Sequence, residues 1–235
     1  LTYNTWPVGT RGTINRSSIQ QVRSRPLPDV NAAFWATRLI ATAAGQMAGR
    51  ALILWMNTGY WGGVVALTTF GLVSAIGMMF ARRRLAEIVF WWSIAAITFV
   101  GANLAEAVDK SLGIGDLGAI LHWGIYLVLS FVIWYRMRGA IAGPVGLSWR
   151  GTFFWVTAAL AQTVCCALSD WVADPDGPDR RVTMIVLGLS LAATLALYVS
   201  KSGRVAVFWS GFIISGFVGA LGGQTVLQGI QLILN

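Results

Sequence analysis

The chain has 235 residues, 56% of them hydrophobic and only 11% charged, with a mean hydropathy of +0.67. A soluble domain carries about 25% charged residues, so this balance excludes an ordinary water-soluble enzyme or module. The net charge of +8 does not point to nucleic acid, because the basic residues sit in short segments between apolar runs, where they act as a topology signal.

Residues 1–31 form a polar, basic N-terminal tail with Arg11, Arg16, Arg23 and Arg25, ending in PLPD. The tail lacks the apolar core of a signal peptide. The chain begins at Leu1, which reads as a processed product or as part of a longer one. Tyr3 and Trp6 suit an anchor on a headgroup surface or on a protein partner.

Seven apolar runs follow, at about 32–56, 61–81, 86–108, 114–136, 151–172, 182–200 and 205–232. Each is close to the roughly 20 residues that a bilayer-spanning helix needs. Asp29 or Asn31 can cap the first helix, just after Pro28. Asn57 to Tyr60 reads as a tight turn, Gly143-Pro144 breaks the chain, and ADPDGPD at 173–179 is an acidic, solvated loop. That loop lacks the ligand pattern of a calcium loop. The fold class is an all-α integral membrane protein with seven transmembrane helices.

Orientation follows from the charges. Outside the runs, twelve Lys and Arg fall on the side of the tail and three (Lys110, Arg180, Arg181) on the other. That bias places the N-terminus in the cytoplasm and the C-terminus outside, in a bacterial inner membrane.

Phe-Trp occurs four times, at 34–35, 90–91, 154–155 and 208–209, each time at the start of an odd-numbered run. The intervals of 56, 64 and 54 residues are each about one helical hairpin. Counting from Trp35, Trp91, Trp155 and Trp209, ten residues bring a small side chain: Gly45, Gly101, Cys165 and Gly219. Fifteen residues bring a polar one: Arg50, Glu106, Asp170 and Gln224. The polar group lies about 22 Å along the helix and some 60° round it from the tryptophan. The small residue permits close helix approach. This periodicity divides residues 32–235 into four tandem hairpin repeats, about 32–82, 86–138, 151–201 and 205–235, the last truncated.

If the repeats share an axis, the four polar groups form one layer. Arg50 then pairs with Glu106 or Asp170, and Gln224 hydrogen-bonds to them, because an unpaired charge at that depth is costly. The competing expectation is four separate helix ends, each reaching headgroups or water.

These residues resemble a family of bacterial membrane proteins built from four tandem copies of a two-helix repeat of unknown function. The repeat carries a characteristic tryptophan, and some members are described as manganese transporters. The resemblance covers about 32–232. In that family the repeat reads Trp, then Gly-Glu, then Ala-Asp-x-Leu, and the stretch from Trp155 to Asp170 matches its acidic position best. Glu106 is a conservative replacement, while Arg50 and Gln224 depart from the pattern. Gln46 stands where the Glu of Gly-Glu would be, and Ala102, Cys166 and Ala220 lose it. With the acidic groups gone and an Arg in their layer, manganese binding does not carry over, and no metal site is expected.

The remaining candidates are weaker. His122, the only histidine, would be the ligand if a pigment or haem were bound, but a helix-interface hydrogen bond is the simpler expectation, and no cofactor is assigned. Arg38 is expected to snorkel to the inner headgroups. Trp55, Trp61, Trp149 and Trp171 read as an interfacial belt. Adjacent Cys165 and Cys166 read as small interface residues. No nucleotide, zinc-protease or serine-hydrolase motif occurs, so the reading is non-enzymatic, with no catalytic residue.

Two functions remain. One is a non-catalytic subunit or scaffold of a larger membrane complex, respiratory or photosynthetic, with protein partners on the tail and on the truncated fourth repeat. The other is a secondary transporter of a small solute or ion, using the Arg50, Glu106, Asp170 and Gln224 layer.

Overall fold

A computed structural model of the chain describes residues 30–56, 86–138, 149–174, 177–199 and 204–234. The tail with Tyr3 and Trp6, the run at 61–81 with Trp61, and the loop arginines at 82–84 lie outside the described residues. Within them the elements are six α-helices: α1 (Ala32–Met56), α2 (Ala86–Leu112), α3 (Gly115–Arg138), α4 (Trp149–Ala173), α5 (Arg180–Val199) and α6 (Arg204–Leu234). No strand occurs among the described residues. Four stretches are long and apolar enough to cross a bilayer: Glu87–Leu112, Gly115–Met137, Thr152–Ala173 and Val205–Ile233.

The helix ends follow local chemistry. Asn31 caps α1, its Oδ1 accepting the Phe34 amide at 3.0 Å. Asp179 caps α5 in the same way, accepting the Arg181 amide at 2.8 Å. Only Gly113 and Ile114 separate α2 from α3. Gly113 and Gly115 both take positive φ, 60° and 70°, which lets the chain reverse at once into an antiparallel hairpin.

The Phe-Trp helices form the core. Helix α1 packs on α2, α2 on α4, α4 on α6, and α6 returns to α1, so the four close into a ring. Helix α3 lies outside the ring against α4 and, to a lesser extent, α2. Helix α5 lies outside against α6. The outward side chains of α3, such as Leu121, Ile125 and Val128, are exposed and apolar, as a lipid-facing surface requires.

A girdle of aromatic rings closes one end of the ring. Each phenylalanine packs on the next helix's tryptophan: Phe34 on Trp91 (5.1 Å between centroids), Phe90 on Trp155 (5.6 Å), Phe154 on Trp209 (5.7 Å) and Phe208 on Trp35 (6.3 Å). Phe34, Phe90 and Phe154 are buried. All four small residues ten positions on approach the next helix's backbone in the same rotation. A Cβ on Gly45 would strike the Ala95 carbonyl, and one on Gly219 would lie 2.9 Å from the Leu39 carbonyl. Cys165 Sγ donates to the Ile213 carbonyl at 3.3 Å. A Cβ on Gly101 would lie 3.0 Å from the backbone of Thr163 on α4, one turn further along than the other three contacts. Each of these close approaches needs a small residue, because a branched side chain would push the backbones apart.

Candidate functional site: a polar axis inside the ring

The end of the ring opposite the girdle holds the charged layer. Arg50 on α1 is paired with both Glu106 on α2 and Asp170 on α4, one guanidinium nitrogen to each. All three side chains are largely buried, at 10–18% exposure, so the cation is what allows two carboxylates to share this space. Gln224 on α6 joins through an intermediary. Gln46 Nε2 lies 3.3 Å from Asp170 Oδ1 and 3.3 Å from Gln224 Oε1, and 3.5 Å from Ser169 Oγ. The four expected residues therefore belong to one connected layer. Gln46 links α1 to α4 and α6, a contact the sequence reading did not assign. The shared depth of girdle and layer also shows that α1, α2, α4 and α6 run in the same direction.

Between girdle and layer the axis carries further polar groups. Three residues after each tryptophan stand Arg38, Ile94, Ala158 and Phe212, all fully buried. Seven residues after, the positions are Thr42, Thr98, Gln162 and Gly216, and the first three are buried completely. Arg38 does not snorkel. It is 1% exposed and points into the ring, correcting the headgroup expectation. Its Nε donates to Ser215 Oγ (3.0 Å), and its Nη2 donates to Gln162 Oε1 (3.1 Å) and to the Phe212 carbonyl (2.8 Å). The guanidinium carbon sits 3.2 Å from the centroid of the Phe212 ring. Gly216 leaves room for this arrangement, since a Cβ there would lie 3.0 Å from Arg38 Nη2 and 3.1 Å from both Cys165 Sγ and Gln162 Oε1.

The two arginines differ in how their charge is met. Arg50 has two carboxylates. Arg38 has none: no carboxylate among the described residues pairs with it. Its cation–π contact contributes about 2 kcal/mol when desolvated, which is less than the several kcal/mol that burying a guanidinium costs. Arg38 Nη1, Gln162 Nε2, Thr42 Oγ1 and Gln46 Oε1 are buried without a hydrogen-bond partner among the described residues. With Arg50 Nε, five such atoms lie along one axis, and they stand out because buried polar groups are nearly always satisfied.

The other candidates lie elsewhere. His122 is partly exposed on α3, stacked edge-on against Trp123 (5.3 Å) and Tyr126 (5.0 Å). It lines an apolar outward groove of about 540 Å³ between α3 and α4, away from the axis. Cys165 and Cys166 are fully buried free thiols at ring interfaces. Among the described residues no three His, Cys, Asp or Glu side chains cluster as metal ligands would.

The sequence reading missed Arg38, Gln162 and Ser215 as a group. A signal existed: Ile94, Ala158 and Phe212, the apolar equivalents of Arg38, mark its position as core. Comparison with family models, with curated proteins and with solved structures finds no match to this chain.

Proposed function

We propose that the chain is a seven-span inner-membrane protein of four tandem hairpin repeats, with a cytoplasmic N-terminus, that carries a small polar solute along the ring axis. The observation that supports this reading is a polar interior closed at both ends. Arg38, Thr42, Gln162 and Gln46 lie between an aromatic girdle and the Arg50 ion pairs. A carrier in an occluded state has this arrangement: groups able to hold solute, with a closure on either side. Arg50 suits a gate because it has two partners. It releases one carboxylate while keeping the other, so the outer end opens without leaving the cation unpaired. The resemblance to a repeat family with transporter members agrees with this reading.

A second reading, a scaffold subunit of a larger membrane complex, is favoured by one observation. The charged layer closes through direct side-chain contacts across all four ring helices, which serves to hold them together as well as to gate them. In that case the tail at 1–31 is the docking segment for protein partners.

One experiment separates the two. Purified protein in liposomes is assayed for efflux of labelled glycine, lactate and chloride, with native mass measured on the detergent-solubilised particle. Flux above protein-free vesicles, reduced at least tenfold in Asp170→Asn, supports the carrier. Absence of flux together with stoichiometric co-purifying chains supports the scaffold.

A further inference from the structure

We infer that the ring axis binds a small monovalent anion, a halide or a one-carbon to two-carbon carboxylate, beside Arg38. The inference deepens the carrier reading by naming the class of solute, and it rests on that reading for the role of the site.

The axis holds two arginines, Arg38 and Arg50, and two carboxylates, Glu106 and Asp170. Both carboxylates are engaged by Arg50. The axis is therefore neutral overall, but its charges are not matched in place: the Arg50 layer has one more carboxylate than cation, while Arg38, twelve residues away along α1, holds its positive charge on a side chain that is 1% exposed. Seven of the nine carboxylates in the sequence lie among the described residues, and none pairs with Arg38. The other two, Asp29 and Asp176, lie outside them. Cys165 is close to Arg38 but supplies no countercharge. Its Sγ donates to the Ile213 carbonyl, which requires the thiol rather than the thiolate.

The unmatched donors point the same way. Arg38 Nη1 and Gln162 Nε2 are both N–H groups, both buried and both without an oxygen acceptor among the described residues, the amide having only the weakly accepting Cys166 sulfur beside it. They belong to side chains already joined by the 3.1 Å bond between Arg38 Nη2 and Gln162 Oε1, so they are close neighbours. Thr42, one helical turn beyond Arg38 on the same face of α1, brings an unmatched hydroxyl at the same level as Gln162. A guanidinium N–H, an amide N–H and a hydroxyl form the donor set that an anion takes, and a desolvated anion beside Arg38 removes the uncompensated charge. Size follows from the surroundings. The site lies between the aromatic girdle and the Gln46 and Arg50 layer, and its packing is close: even a Cβ on Gly216 would come within 3.0–3.1 Å of Arg38 Nη2, Cys165 Sγ and Gln162 Oε1, so only a small ion suits it. A divalent anion would reverse the excess charge rather than cancel it.

The test is anion-dependent stability of the full chain in detergent at fixed ionic strength. Sodium gluconate is replaced stepwise by chloride, nitrate, formate or acetate at millimolar concentrations. Binding to the native state raises Tm saturably. Gluconate is too large to enter, so it serves as the reference. Arg38→Gln is expected to lower the apparent affinity about tenfold or more, as losing a charge-assisted hydrogen bond does. Gln162→Glu is the decisive variant if Arg38→Gln fails to fold. It places a carboxylate at the position already 3.1 Å from Arg38 Nη2, so its Tm should match or exceed the wild type and no longer respond to anions. A wild-type Tm that is the same in chloride, formate and gluconate overturns the inference, as does an anion response that persists in Gln162→Glu. Arg38-dependent stabilisation without vesicle flux would leave the site standing and remove the carrier. Chloride or lactate flux without an anion response would do the reverse.

Discussion

Arg50 holds apart and together two carboxylates that would repel each other without it. Replacing Arg50 with Gln leaves Glu106 and Asp170 facing across the ring with no cation. The expected cost is about 3 kcal/mol, the lower part of the range for breaking a buried pair, because the layer keeps some contact with water. Thermal unfolding in detergent checks this. Asp170→Asn should cost less than Arg50→Gln in the same assay, since Glu106 still meets the cation. The position of Arg50 was legible in the sequence as one of four polar residues in a fixed register. Arg38 was not. Its partners stand 124 to 177 residues away on two other helices, and a single helix read alone offers headgroups as the nearest polar surroundings. What defeats that reading is the ring, which turns the face three residues after each tryptophan toward the axis.

Helix crossings set the next scale. Gly45→Ala would place a methyl 2.7 Å from Thr98 Cβ and against the Ala95 carbonyl, so α1 and α2 must separate. Overpacking of this kind costs roughly 1–3 kcal/mol. Gly124 on α3 has nothing within 4 Å of such a Cβ. Gly124→Ala should therefore be neutral or stabilising by up to about 1 kcal/mol through helix propensity. Parallel melting curves of the two variants give the comparison, and equal losses would remove the close-approach account. Element type and most boundaries were readable from apolar runs and caps, with Asn31 capping α1. The C-terminal end of α2 lies at Leu112, beyond its apolar segment, and the helix stops where Gly113 takes positive φ. The order in which helices meet was not readable, since side-chain periodicity names a face but not the neighbour against it.

For the molecule as a whole, the ring is the unit that must form or fail together. Phe154 is 2% exposed and touches Trp155, Trp209, Phe208 and Phe212, which spreads its burial over two helices. Phe154→Ala is expected to cost roughly 3–5 kcal/mol, by lost transfer energy and a cavity in the girdle. The two thiols provide a readout of the same unit. Cys165 and Cys166 are wholly buried within the ring. A small maleimide should label neither until the ring opens, and the labelling midpoint in a temperature series should coincide with global unfolding. Rapid labelling of the native protein would show that the ring breathes locally. The four-fold recurrence of Phe-Trp announced a repeated unit; that the last helix returns to the first is a fact of three dimensions, which a linear period does not contain.

That return has a consequence for biosynthesis. Arg38 emerges early, yet Ser215 follows it by 177 residues and Gln162 by 124. At roughly 5–20 residues per second, α1 waits on the order of 10–35 s for α6 to be made. For the first part of that interval it carries two cations, Arg38 and Arg50, none of whose final companions yet exists; Glu106 comes 56 residues after Arg50, and Gln162 and Ser215 reach Arg38 only later. Such a helix is a poor resident of lipid on its own, and a strong client for whatever shelters half-finished membrane chains. The order of translation, and not only the finished packing, thus bears on whether this protein reaches its ring.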